Sequence, residues 1–294
     1  MINSIIAKAV FNKLLKRPDI SKAYKMVGPE DSWYNTIKTV HESLEKIQKL
    51  PHQSLEIKSF DGLALLGVFY PCKNAKGTVI FVHGYGSHAE REWAFPGLFY
   101  LSLGFNVLIP YQRAHGPSEG KRITLGALEH RDMLLWVEKI NEITQCKNIV
   151  IHGLSMGGGI VLQLSDKPMT NVKCLISDAP SPSVEAFFAN VSRDVFKKNG
   201  DQICDAALKN FKKQNSVDAK DFDGVEIVKR SKYPILLSAG SMENKEELFK
   251  TIRENNPSDT EIIILDGCNH GNGMYKQTEI YQSCIQSFIS KYIQ

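Results

Sequence analysis

Apolar residues along the chain change their spacing at Pro51. Before it they recur at helical intervals: Trp33, Ile37, Val40, Leu44 and Ile47 share one face of a helix opened by residues 29–32 and ended by Pro51. The first stretch, "MINSIIAKAVFNKLLKRPD", gives another amphipathic helix, with Ile5, Val10 and Leu14 on or near one stripe, so residues 1 to about 50 read as helical. Beyond Pro51 short strand-like runs take over. "SLEIKSF" and "LALLGVFY" flank Asp61-Gly62, a hairpin signal. Residues 77–83 and 105–110 are continuous apolar runs with β-branched members, the pattern of strands buried on both faces.

Further strand-like runs fall at 148–152, 172–178, 234–239 and 261–265, with helical patterns at 89–103, 125–143, 156–166, 243–255 and 276–292. This alternation predicts an α/β fold: a mostly parallel twisted sheet with helices on both faces and the opening hairpin as its antiparallel edge. Residues 181–230 break the alternation, having helical texture, no strand, and an apolar face of Phe187, Phe188, Val191 and Val195. An insertion near the carboxyl ends of sheet strands is where a helical cap over a site would sit. The chain thus divides into an N-terminal helical segment (1–50), an α/β core (51–180 and 231–294) and a small cap insertion (181–230).

Composition narrows the function classes. The chain's 294 residues, 43% of them apolar, suffice for a core without disulfide or metal staples. Its 36 basic and 32 acidic side chains are dispersed, which argues against a nucleic-acid partner. The cysteines (72, 146, 174, 204, 268 and 284) form no Cys-x-x-Cys pair, so reduced thiols in a cytoplasmic protein and no zinc site are expected. Residues 1–17, broken by Lys8 and Lys13, are too short and charged for a transmembrane span. They read as a helix packed on the domain or a partner, or as a weak peripheral membrane contact.

The chemistry concentrates in "GLSMG" (153–157), set between the strand-like "NIVIH" and an apolar helix. A Gly-x-Ser-x-Gly turn there exposes the serine hydroxyl above the sheet and opens a helix whose free N–H groups can hold an oxyanion. Ser155 is the candidate nucleophile, and the Met156 N–H one oxyanion donor. The loop after the strand at 77–82 offers Tyr85 as the second donor, between Gly84 and Gly86. His83 and His152, each at a strand end, read as structural hydrogen-bonders. His270, in "IIILDGCNHGNG" beyond the last strand, is the candidate base. For the acid, Glu243 after "YPILLSAG" leads, with Asp178 at the end of "CLISD" as the alternative and Asp266 a further rival.

From about Ser54 onward the chain resembles the α/β-hydrolases, in particular bacterial single-domain serine hydrolases related to esterases and acylaminoacyl-peptidases. "SFDGLALLGVFYPC" resembles their opening hairpin, "VIFVHGYGSH" their oxyanion loop, "HGLSMGG" their nucleophile elbow and "CNHG" their catalytic-histidine loop. The resemblance implies a triad of Ser155, His270 and an acid after the penultimate strand, with oxyanion donors at Tyr85 and Met156. Where relatives read Asp-x-Arg-Gly-His-Gly-x-Ser, this chain has "YQRAHGPSEG", with Tyr111 and Ala114 in place of Asp and Gly. At the acid position "GSMENKEE" carries Glu for Asp and lacks the usual apolar-Pro pair.

The expected activity is serine hydrolysis of a small-molecule carboxylic ester, thioester or similarly activated acyl group, a carboxylesterase with no cofactor and no metal. An acyl-peptidase, or a binding protein on a hydrolase fold without hydrolysis, is the alternative.

Overall fold

Eight strands form one sheet in the computed structural model, which describes residues 2–293 except Ser32 and Cys146, with only the backbone of Ile2, Asn3, Ser4 and Ile6. The strands are β1 (Gln53–Lys58), β2 (Ala64–Tyr70), β3 (Gly77–Val82), β4 (Phe105–Pro110), β5 (Ile149–Leu154), β6 (Val172–Asp178), β7 (Ile235–Gly240) and β8 (Thr260–Leu265). They lie in the order β1-β2-β4-β3-β5-β6-β7-β8. β2 pairs antiparallel with β1 and β4, and every later pairing is parallel. Every residue of β3, β4, β5 and β7 is buried, which is why these strands read as unbroken apolar runs.

The helices are α1 (Ile2–Leu14), α2 (Tyr34–Ile47), α3 (Ala89–Ser102), α4 (Glu129–Ile143), α5 (Met156–Leu164), α6 (Val184–Phe196), α7 (Gly200–Asn215), α8 (Gly224–Val228), α9 (Glu246–Asn255), α10 (Gly273–Lys276) and α11 (Thr278–Tyr292). On one face of the sheet α4, α5 and α9 contribute Trp136, Ile160 and Phe249 to the core. On the other, α2, α3 and α11 contribute Ile47, Trp93 and Phe288. The β6–β7 connection carries α6, α7 and α8, and an isolated bridge between Ser183 and Asp223 ties its base together.

The N-terminal segment departs from the expected run of helix. The described residues between Leu15 and Trp33 are irregular, a series of turns with one short 3-10 turn at Ile20–Lys22. Pro18 and Pro29 lack the N–H a continuing helix needs, and the Arg17 guanidinium donates to the carbonyls of Gly116, Ser118 and Gly120 instead. The buried stripe of α1 is also rotated from expectation: Ala7, Phe11 and Leu15 face inward, while Ile5 is 64% exposed. That stripe packs on α7, with Phe11 edge-on to Phe188 at 4.6 Å and Phe188 edge-on to Phe211 at 5.6 Å.

Other boundaries move for local reasons. Residues 125–128 turn rather than join α4, because the Glu129 carboxylate accepts from Thr124 N, Thr124 Oγ and Gly126 N at 2.6–2.8 Å. The expected helix from 243 begins at Glu246 after a 3-10 turn at Ser241–Glu243. Cys174, Cys204 and Cys268 are buried, Cys72 and Cys284 half-buried, and all five are free thiols; Cys146, like the Ser32 of the expected α2 opening, lies outside the described residues. No helix among the described residues is long and apolar enough to cross a membrane.

Because Phe11 joins α1 to the Phe188–Phe211 pair, Phe11→Ala should cost about 3 kcal/mol of packing. The expected readout is a lower thermal midpoint or early proteolysis near the N-terminus; wild-type behaviour in both would show that α1 does not rest on that contact.

Candidate active site

β5 ends at Leu154 and α5 begins at Met156, leaving Ser155 alone at the turn with φ +59° and ψ −114°. L-residues avoid this conformation, at a cost of about 1–3 kcal/mol. Two contacts hold it. The Ser155 N–H donates to the Asp178 carbonyl at 2.8 Å, anchoring the turn to β6. Gly157 lets α5 touch the end of β3, since a Cβ there would lie 1.9 Å from the Val82 carbonyl oxygen.

His270, in the loop after β8, meets the serine. Its Nε2 lies 2.9 Å from Ser155 Oγ and its Nδ1 2.6 Å from Glu243 Oε2. A carboxylate only accepts, so Nδ1 carries the proton and Nε2 is free to accept from the hydroxyl. The Glu243 Oε1 takes the Gly240 N–H at 3.0 Å, fixing the carboxylate at the end of β7. The hydrogen bond to Glu243 raises the His270 pKa above its ordinary 6.5, against the opposing effect of burial. For Glu243, burial is the largest single influence and pushes its pKa upward, but the hydrogen bond and charge of His270, the Gly240 N–H and the Lys245 ammonium together outweigh it, and the carboxyl lies below its ordinary value.

The other carboxylates are elsewhere engaged. Asp178 accepts from the Ser238 hydroxyl and, at 2.7 Å, from the Tyr281 hydroxyl; burial lifts its pKa to about 6. It supports the elbow through its carbonyl. Asp266 faces Ser241 Oγ at 3.4 Å. The structure thus brings Ser155, His270 and Glu243 into one hydrogen-bonded line and leaves Asp178 and Asp266 out of it.

The Tyr85 and Met156 N–H groups face no acceptor in any hydrogen bond found among the described residues, and Met156, first in α5, has no helical partner. The peptides around Tyr85 are pinned on each side. Gly84 N–H donates to Glu92 Oε1 at 2.8 Å, the His83 imidazole Nδ1–H to the Gly84 carbonyl at 2.8 Å, and Gly86 N–H to His115 Nε2 at 3.1 Å. Both rings are neutral: burial drives the His83 pKa well below 6.5 and that of His115 to about 4. The Tyr85 side chain turns away, its hydroxyl donating to the Leu14 carbonyl and its ring lying 5.6 Å from Phe187 of α6. His152 is also buried, between the hydroxyls of Tyr100 (3.0 Å) and Tyr281 (3.2 Å).

The substituted loop at 111–120 is held by Arg113, whose guanidinium forks onto Asp132 at 2.6 and 2.8 Å and Asp61 at 3.0 Å. Ala114 takes φ +62°, where the resembling family has glycine, and Tyr111 donates to Glu90 at 3.1 Å.

A cleft of about 350 Å³ opens beside Ser155 and His270, lined also by Tyr24, Trp33, Glu92 and residues 84–87. Sequence reading missed Tyr24 and Trp33, which lie outside the recognisable motifs. It also passed over Glu92, which stands in the first turn of α3, where acidic residues are common.

The line of contacts sets an expectation for solution. The His270 ring should titrate above 6.5 by NMR, and Glu243→Gln should lower that value far more than Asp178→Asn. Equal shifts in the two variants would contradict the pairing with Glu243.

Comparison with known proteins bears on the family and the fold. The family model described as serine aminopeptidase, S33, matches residues 73–221, just over half the chain. The uncharacterized protein YqkD of Bacillus subtilis (strain 168) is 22% identical over 253 residues, covering 85% of this chain and 83% of YqkD. A 110-residue stretch, 36% of this chain, is 34% identical to part of the multifunctional-autoprocessing repeats-in-toxin of Vibrio cholerae serotype O1, of which it covers only 2%. An esterase of Pyrococcus furiosus has the same fold, with a TM-score of 0.67 and 21% identity over 95% of this chain and 99% of that one. The chain belongs to the serine aminopeptidase S33 family of the α/β-hydrolase superfamily.

Proposed function

We propose that this chain is a serine hydrolase that cleaves a carboxylic ester, or a thioester or similarly activated acyl group, through an acyl-enzyme. The observation that carries the reading is the line from Glu243 through His270 to Ser155, with separations of 2.6 and 2.9 Å. Ser155 Oγ attacks the acyl carbonyl while His270 Nε2 takes its proton. The Tyr85 and Met156 N–H groups hold the oxyanion of the tetrahedral intermediate. As that intermediate collapses, His270 returns the proton to the leaving oxygen. Water, deprotonated by the same nitrogen, then releases the acid. Glu243 keeps the imidazole in the Nδ1–H form and stabilises its cation.

Residues 51–180 and 231–294 would supply this machinery, and residues 181–230, with α1 packed on them, would cap its flank through Phe187 on Tyr85. An ester fits the cleft better than an aminopeptidase substrate. Among the described lining residues Glu92 is the one carboxylate, and it is taken up by Gly84 N–H and the Tyr24 hydroxyl, which leaves none to hold a substrate ammonium. The aromatic walls, Tyr24 and Trp33, suit a short or flat acyl group.

Ser155→Ala and His270→Ala should each lower kcat/KM on p-nitrophenyl acetate and butyrate at least about a thousandfold. The acid limb of the wild-type profile should follow the raised His270 pKa, the rate growing as the ring loses its proton. Equal rates in the wild type and Ser155→Ala would leave binding as the function.

A further inference from the structure

The wall of the cleft formed by Ala23, Tyr24 and Trp33 comes from residues 15–33, ahead of the hydrolase core. Bonds at Leu14, Arg17, Ala23 and Tyr24 fix the first ten residues of this segment. The Leu14 carbonyl receives the Tyr85 hydroxyl, and Arg17 donates to the carbonyls of the 116–120 loop. Arg91 Nη1 donates to the Ala23 carbonyl at 2.9 Å, and the His41 ring bonds the Tyr24 carbonyl at 2.8 Å. The segment is a strap seated across the oxyanion loop.

Within it, Tyr24 is held at φ +54°, a conformation unfavourable for a bulky side chain. What that conformation sits with is a contact: the Tyr24 hydroxyl donates to Glu92 Oε2 at 3.1 Å. Glu92 is 3% exposed, and its other oxygen receives the Gly84 N–H at 2.8 Å. The carboxylate therefore joins the strap to the peptide immediately before the one bearing the Tyr85 N–H. Gly84 has no side chain to limit its torsions, so the Glu92 bond on its N–H and the His83 bond on its carbonyl set the plane of that next peptide.

We infer that the strap is a working part of the active site, with Tyr24 a positioning residue that sets the oxyanion loop through Glu92. The inference rests on the serine-hydrolase reading. Burial works against a charge on Glu92, bringing its pKa to about 7, and the neighbouring Ser87 hydroxyl, the Gly84 N–H and the Tyr24 hydroxyl work to keep it a carboxylate. Removing the Tyr24 hydroxyl takes away one donor from a buried acceptor, and the hold on Gly84 loosens with it. A misplaced oxyanion donor weakens the transition state more than the bound ester, so the loss belongs in kcat and not in KM.

The test is Tyr24→Phe in the full chain, assayed on p-nitrophenyl acetate with Ser155→Ala as the blank. The expected result is a fall in kcat of about tenfold or more with KM changed less than about twofold. Glu92→Gln should give a similar loss, and the double variant one no larger than the greater of the two, because both act through one chain of bonds. If Tyr24→Phe fails to fold, Glu92→Gln and its split between kcat and KM carry the same test. Wild-type kcat in the single variants, a loss confined to KM, or additive losses in the double variant would overturn the inference alone. A wild-type rate no greater than the blank would overturn the hydrolase reading, and this inference with it.

Discussion

A serine at φ +59° keeps that backbone only if its surroundings forbid every cheaper one, and here they do so from both sides. The Asp178 carbonyl takes the Ser155 N–H on the β6 side, and the Val82 carbonyl leaves room at residue 157 for nothing larger than glycine on the β3 side. Both contacts follow from the strand order, which sets β5 between β3 and β6. Since β3, β5, β7 and β8 run parallel, their carboxyl ends open on one edge of the sheet. The loops that follow them bring the Tyr85 N–H, Glu243 and His270 to the same serine.

Three carboxylates near that edge are separated by their donors. Glu243 faces an imidazole N–H and one backbone N–H, and its pKa is lowered. Asp178 has two hydroxyl donors in a buried setting and its pKa rises to about 6. Beneath it the proton directions are consistent: Tyr281 donates to Asp178, leaving His152 Nε2–H to donate to Tyr281 and His152 Nδ1 to accept from Tyr100. That network fills the space under the elbow with satisfied polar groups. Glu92 spends both oxygens on holding structure, one on the Gly84 N–H and one on the Tyr24 hydroxyl.

The strands were legible because burial on both faces writes itself as continuous apolar runs, and the elbow because a glycine pair around a serine is a rare pattern at a strand end. The carboxylate that faces His270 was legible as a choice and no further. Glu243 follows β7, Asp178 ends β6 and Asp266 follows β8, and the 3-10 turn at Ser241–Glu243 brings the first of them to residue 270. The strap was invisible for a different reason. Its attachments are backbone carbonyls, an arginine fork and a tyrosine hydroxyl, none of which imposes a period on the sequence. The rotated face of α1 has a related cause: Ala7 is small enough to look neutral, yet it lines the buried stripe with Phe11 and Leu15.

The most direct test of the account is a crystal structure of the chain after reaction with an alkyl fluorophosphonate. The account predicts phosphorus bonded to Ser155 Oγ, its phosphoryl oxygen within hydrogen-bond reach of the Tyr85 and Met156 N–H groups, and the Tyr24–Glu92–Gly84 bonds intact beside it. An adduct on another residue, or a phosphoryl oxygen turned away from both N–H groups, would contradict it.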